Sequence, residues 1–491
     1  MSQDRPNVLL IQADQLTPFA TGPYGCKAAP TPNLDRLAAR GVTFDACYCN
    51  SPLCTPSRMS MLTGRYVQNI GTWDNGRPLR SDVPTMAHHF SVGDYYTCLS
   101  GKMHFIGPDQ HHGYEERLTT DIYPATPKWT YRWEEEQLHG ARNSPTGPDS
   151  WTWQTEYDTR TQNRALEWLR MHACEPLEWI RKRDTRRKRK NRPFFLTVSF
   201  TLPHPPFIAP EEYWNRIDEQ KVELPQWPEG HIENEHVAVQ WIRNYHQLNE
   251  LPTDEEVLSA RRAYYANVAF VDEKVGELLD CLEKCGVSKN TIVVFTSDHG
   301  EMLGEHGCWC KRVAYESSTR VPLLMAGPDL PEGERIPQVT ELVHLLPTLC
   351  DLCDLPGPVN VDGRSMVPLL QGQADGWRNE ALSENYTEGV KAATCILRRD
   401  NLKYVLPVGE APALYDLDAD PGEFHNFAGD PDYAEAERQL AERLAEMWDG
   451  KAIDRAIRAN KEDRLMVNEA LKTGRHPDWA HQPGQGGQRW V

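Results

Sequence analysis

The sequence predicts an α/β protein: a large, mostly parallel central sheet flanked by helices, with a smaller C-terminal α+β subdomain. Three observations carry this reading. Short apolar runs recur and each ends in polar residues, a long amphipathic helical pattern lies between two of them, and short strands joined by turns take over from about Tyr386.

The first run is residues 7–12 (NVLLIQ), which gives way to Asp14 and Gln15. The second, residues 193–200 (PFFLTVSF), runs into Leu202-Pro203-His204-Pro205-Pro206, and the third, residues 291–297 (TIVVFTS), runs into Asp298-His299-Gly300. In open α/β sheets ligands bind outside the carboxyl ends of the strands, so these polar ends mark the candidate site. Residues 255–285 place Leu258, Ala263, Val268, Val271, Val275, Leu278, Leu279 and Leu282 at near-helical spacing before Gly286. Further on, CILRRDNLKYVLP and ALYDLDADPGEF read as strands and turns, and residues 433–448 as a charged helix.

This divides the chain into a catalytic domain over residues 1–385, a C-terminal subdomain over 386–450 and a tail over 451–491. The tail ends in a Gly- and Gln-rich stretch and cannot fold alone, so it wraps its own subunit, contacts a partner subunit or frays. A homo-oligomer, a dimer in the simplest case, is expected from it.

The 491 residues carry 53 Lys plus Arg against 71 Asp plus Glu, a net charge of −18, which argues against a nucleic-acid binder. The basic run at 181–192 (RKRDTRRKRKNR) is accordingly read as a solvated loop. A hydrophobic fraction of 39% is enough for a large core and excludes wholesale disorder. The start lacks a basic segment followed by an apolar one, and no stretch has the roughly 18 apolar residues of a membrane span. The expectation is a cytoplasmic protein with no membrane partner. The 13 cysteines are scattered through a long chain, which suits reduced thiols, and the pairs Cys47/Cys49, Cys308/Cys310 and Cys350/Cys353 are read as core residues rather than as a zinc site.

The sharpest local signal is Cys54-Thr55-Pro56-Ser57-Arg58, continuing to Gly64-Arg65. Pro56 suits the first turn of a helix that stops at Gly64, which would set Cys54 at a positive helix N-terminus beside a guanidinium. Asp14, Gln15, Asp298 and His299 make a mostly oxygen ligand set for a hard or borderline divalent cation, calcium or manganese. Arg58, Lys102, His104, His204 and Lys311 are cationic or hydrogen-bonding groups suited to a transferring anion.

These residues resemble the sulfatase family. Its Cys-x-Pro-Ser-Arg signature is matched from Cys54 to Arg65. Other blocks follow in family order: Asp14-Gln15, residues 31–35 (TPNLD), Gly101-Lys102-Met103-His104, Pro203-His204-Pro205, Ser297-Asp298-His299-Gly300 with Gly304, His306 and Lys311, then Arg320-Val321-Pro322 and Leu414-Tyr415-Asp416-Leu417. Residues 50–53, 101–105 and 115–124 look most like the choline sulfatases of that family, with phosphonate monoester hydrolases and promiscuous arylsulfatases as near relatives.

The resemblance implies the alkaline phosphatase-like sulfatase fold and hydrolysis of a small sulfate monoester. It implies that a formylglycine-generating maturation enzyme oxidises Cys54 to formylglycine, whose hydrated form is the nucleophile, with one divalent metal held by Asp14, Gln15, Asp298, His299 and the modified residue 54. Asp298 would accept a proton. Arg58 and Lys102 would orient the nucleophile, His104 would help regenerate the aldehyde, and His204 and Lys311 would bind sulfate and assist the leaving group. His306 would lie just behind the site, with Glu301 and Glu305 nearby.

A quaternary ammonium substrate needs aromatic faces and a carboxylate. Trp129, Trp133, Trp151 and Trp153 lie in the insert after Pro124, and Asn75 and Glu388 are candidates for a polar wall. Two alternatives stand beside the sulfatase reading: a phosphonate monoester or phosphodiester hydrolase using the same residues, and a non-catalytic binder of sulfate esters with Cys54 unmodified.

Overall fold

A computed structural model describes residues 5–127, 146–149, 151–173, 192–474, 476 and 478–482. Trp129, Trp133 and the basic run, apart from Arg192, lie outside the described residues.

The main sheet is built from β1 (Asn7–Asp14), β2 (Val42–Tyr48), β3 (Tyr96–Gly101) and β4 (Glu116–Arg117), then, past the short β5 (Gly147–Asp149), from β6 (Phe194–Pro203). Past β7 (Ile208–Pro210) it is completed by β8 (Thr291–Ser297), β9 (Arg320–Val321), β10 (Leu323–Ala326) and β11 (Glu334–Glu341). The order is β11-β2-β10-β8-β1-β6-β3-β4, with β9 pairing to β2. β8, β1, β6, β3 and β4 run parallel, and β10 runs against both its neighbours.

Both faces of β1 are covered, which is why its sequence is a continuous apolar run rather than an alternating one. Leu9, Ile11 and Ala13 join one apolar layer with Val268, Val271 and Val275 of the Asp254–Lys284 helix. Val8 and Leu10 join the other layer with Met59, Met61 and Leu62 of the Cys54–Thr63 helix and Leu345 and Leu349 beyond it. The long helix begins as the sequence predicts. Thr253 accepts from the Glu256 backbone N–H while the Glu256 carboxylate accepts from the Thr253 N–H, a reciprocal cap.

The second sheet is antiparallel: β12 (Glu380–Asn385), β13 (Thr394–Arg399), β14 (Leu402–Pro407) and β15 (Ala413–Asp416) in sequence order. It packs on the Ala434–Met447 helix through Leu382, Leu397, Leu414, Leu440 and Leu444. A boundary at residue 385 therefore falls one strand too late. The apolar pattern of β12 is short, and its Glu384 N–H donates to the Asn50 carbonyl of the main domain, so it reads in sequence as part of that domain.

The tail is also more definite than expected. The Gly450–Thr473 helix lies against its own subunit, where the Arg464 guanidinium makes two hydrogen bonds to Asp74, at 2.6 and 2.7 Å, in a buried pair. Beyond it, His481 Nε2 lies 2.9 Å from the Arg117 carbonyl. The described part of the tail thus lies on its own subunit.

The paired cysteines are buried free thiols, as expected of most cysteines here, and Cys285 is disulfide-bonded. Among the described residues no helix is long and apolar enough to cross a membrane.

Candidate active site

Sheet register brings the polar strand ends together. Ala13 pairs with Ser297, Asp14 with Pro203 and Gly101 with Ser199, so Asp14, Asp298, His204 and Lys102 emerge along one carboxyl edge. The Cys54–Thr63 helix meets that edge end-on, with Cys54 at its first position and Gly64 ending it in the left-handed region at φ 66°. Its N-terminal amides need acceptors. Thr55 N–H donates to Asn75 Oδ1 at 2.9 Å, and the Ser57 hydroxyl donates to the Asp298 carbonyl at 2.5 Å, which ties the helix to β8.

Cys54 is buried where three groups converge. Its Sγ lies 3.2 Å from Lys311 Nζ, 3.3 Å from His299 Nε2 and 4.0 Å from Asp14 Oδ1. Burial alone raises a thiol pKa, but the ammonium groups of Lys311 and Lys102 and the His299 ring outweigh it and hold Cys54 well below its ordinary value.

Arg58 is fully buried and saturated. Nη2 donates to Asp14 Oδ2 and Nε to Asp298 Oδ2, both at 2.8 Å, and Nη1 reaches Gln12, Ser199 and the Lys102 carbonyl. Lys102 Nζ meets Asp14 Oδ2 at 2.6 Å. Burial pushes the Asp14 carboxyl up, yet Lys102 and Arg58 outweigh it and keep Asp14 ionised, whereas burial wins at Asp298 and raises it. Arg58 thus fixes the two carboxylates relative to each other, a positioning role.

His104 and His204 complete the wall. Asp121 Oδ2 accepts from the Met103 and His104 amides at 3.0 and 2.6 Å, holding His104 in a left-handed conformation at φ 60°. The buried His104 ring faces Cys54, and neither nitrogen is engaged by the rest of the protein. His204 Nδ1 donates to the Pro205 carbonyl at 2.8 Å, leaving its other nitrogen for the site. Burial, reinforced by the charge on Lys311, lowers its pKa to about 4, so His204 is neutral near pH 7.

Three residues given no role by the sequence also line the site. Glu301 is wholly buried, and its carboxylate accepts from the Leu303 and Cys310 amides at 3.0 and 2.7 Å and from Gln15 Nε2, while Lys311 Nζ donates to Gln15 Oε1 at 2.5 Å. The other two are Asp121 and Tyr123, whose ring lies 4.4 Å from Lys102 Nζ and whose hydroxyl lies 3.3 Å from His204 Nδ1. Their presence in the block at 115–124 was the available signal.

Two expectations change. His306 stacks on Tyr315 at 3.7 Å and hydrogen-bonds His231, so it belongs to a separate cluster, because its left-handed backbone turns it away from the strand end. Glu388 does lie beside Asn75, whose N–H donates to it at 3.4 Å, but Arg312 Nη2 holds it at 2.6 Å, so its charge is already matched. Trp151 and Trp153 are about half exposed, at 46% and 53%.

The donor set suits a divalent ion. Asp14, Cys54, Asp298 and His299 each place a ligand atom within 4.8 Å of the others in a fully buried cluster, and Gln15 Oε1 stands alongside. A metal-ligand cluster walled by fixed cations is the equipment of a hydrolase acting on small anionic esters. The comparisons narrow that class. The sulfatase family model matches residues 6–355, and the model described as N-sulphoglucosamine sulphohydrolase, C-terminal, matches residues 304–450. The chain is 38% identical to a choline-sulfatase of Rhizobium meliloti over 99% of its own length and 95% of that protein. It is 28% identical to an arylsulfatase of Clostridium perfringens over 91% and 95%. A phosphonate monoester hydrolase from Silicibacter pomeroyi superposes with a TM-score of 0.74 at 26% identity, covering 90% of this chain and 95% of that one. The chain belongs to the sulfatase family.

Proposed function

We propose that the chain hydrolyses a small sulfate monoester, aryl or choline-type, through formylglycine made from Cys54 by a maturation enzyme and with one calcium or manganese ion. The observation that carries this is the position of Cys54 Sγ, within 3.2 to 4.0 Å of Lys311, His299 and Asp14 at the convergence of the strand ends.

The chain's own charges nearly cancel, with Arg58, Lys102 and Lys311 facing Asp14, Asp298 and Glu301. A bound divalent ion, held by Asp14, Gln15, Asp298, His299 and residue 54, would supply the excess positive charge that polarises a sulfuryl oxygen and acidifies the hydrated aldehyde. Arg58 keeps the two carboxylates in register, and Asp298, raised by burial, is the proton acceptor. Lys311 and Lys102, both held protonated by Asp14 and the residue at 54, face the non-bridging oxygens. His104, whose ring faces Cys54, serves the departing oxygen, and neutral His204, its Nδ1–H held by the Pro205 carbonyl, offers Nε2 to the site as an acceptor.

The superposition with a phosphonate monoester hydrolase supports a second reading in which phosphonate monoesters or phosphodiesters are cleaved. Matched aryl sulfate and aryl phosphonate esters separate the two. The proposal expects the higher kcat/KM on sulfate, and a preference for phosphonate would replace it. Binding of both with no turnover, and Cys54 unmodified even in protein made with the maturation enzyme present, would favour the non-catalytic binder.

A further inference from the structure

We infer that His231, Glu235 and His306 are three protein ligands of a second metal site, suited to zinc. His231 and Glu235 bracket a single turn of 3-10 helix, Ile232–Asn234, and His306 comes from the loop that also carries Lys311. Three ligand atoms converge: His231 Nε2 to His306 Nδ1 is 2.8 Å, His231 Nε2 to Glu235 Oε1 is 3.2 Å, and His306 Nδ1 to Glu235 Oε1 is 3.8 Å. Those separations bracket the roughly 3.3 Å edge of a tetrahedron with metal–ligand bonds of about 2.0 Å. Two imidazoles and a carboxylate are a zinc donor set rather than a calcium one.

Three further features point to a ligand. Glu235 is 95% buried, at 5% exposure, and beside Oε1, which faces both rings, its Oε2 has no hydrogen-bond partner, a costly arrangement unless an ion takes the carboxylate through both oxygens. Tyr315 Oη donates to Glu235 Oε1 at 3.2 Å, and the His306 ring hydrogen-bonds the Gly422 carbonyl, so both ligands are oriented from behind as metal ligands are. His306 pays for its place with a left-handed backbone, φ 54° and ψ 25°. Phe424 covers both rings, at 5.2 and 5.1 Å.

The site shares no residue with the catalytic cluster. An ion there would join the 231–235 turn, the Lys311 loop and the 422–424 segment of the C-terminal subdomain, and so hold the Lys311 loop in place.

The test uses the full-length protein, chelated, then reconstituted with zinc or cobalt and freed of excess. Elemental analysis is expected to find about two metal ions per chain in the wild type and about one in His231→Gln, with a zinc-dependent rise in Tm lost in the variant. Cobalt is expected to give the intense visible bands of a tetrahedral ion in the wild type and to lose them in His231→Gln. The wild-type spectrum keeps the test decisive should the variant fold poorly. A wild type that binds about one ion, shows no tetrahedral cobalt spectrum and gains no zinc-dependent Tm overturns the inference.

Discussion

At the scale of single residues, the orientation of Gln15 is the most informative detail. Its amide oxygen accepts a hydrogen bond from the Lys311 ammonium while its amide nitrogen donates to Glu301, so neither end can turn without losing a partner. Glu301→Gln sets amide nitrogen against amide nitrogen. The expected result is a loss of about 10 to 100-fold in metal affinity or kcat, read by metal titration and steady-state kinetics. Lys311→Ala removes a cation 3.2 Å from Cys54 Sγ and is expected to lower kcat by about 10² to 10³-fold on an aryl sulfate. Asp14, His204 and Asp298 were legible because each stands where an apolar run stops, and Cys54 because proline and glycine bracket its helix. Asp121 and Tyr123 were not, and Glu301 was legible only as a neighbour of the site, since a buried acid that accepts backbone amides from a loop has no periodicity to betray its role.

At the scale of elements, the apolar runs identified β1, β6 and β8, and the 3.6-residue pattern found the long helix to within a residue of Asp254–Lys284. β2 and β10 were missed because their short runs, VTFDACY and LLMA, carry too little pattern to separate strand from loop. The tail could not be placed from sequence, because its docking depends on a pair 390 residues apart, Asp74 and Arg464. That pair also makes the element testable. Arg464→Ala removes the two hydrogen bonds to the buried Asp74 and leaves it Lys461, Arg77 and the Gly76 N–H, so it is expected to cost about 1 to 3 kcal/mol, read as a lower Tm or denaturation midpoint. An unchanged Tm would mean the helix is held by its apolar side alone.

At the scale of the whole molecule, buried titratable groups set the pH dependence of stability. Burial pushes Glu341 and Glu384 from 4.5 up to about 8, so the folded chain holds more protons than the unfolded one between those values. Their contribution is full below pH 4.5 and is lost as pH rises through about 8. Burial lowers His112 from 6.5 to about 4 and His344 to about 3, so their contribution is present above 6.5 and lost as pH falls. Above pH 6.5 the two glutamates pull Tm down until about pH 8 while Cys54, held below its ordinary value, pulls it up, so the expected outcome is a Tm–pH slope in that range that is less negative in Glu384→Gln than in the wild type. The same slope in Glu384→Gln and the wild type contradicts the assignment.

The central claim is that Cys54 is the precursor of the nucleophile. Peptide mass spectrometry of the Cys54 peptide from protein matured in its native host, run beside an aryl-sulfatase assay with added metal, tests it most directly. The account predicts replacement of the thiol by the aldehyde, and turnover that disappears in Cys54→Ala. An unmodified Cys54 in protein that turns over nothing would contradict it, and so would turnover that survives Cys54→Ala.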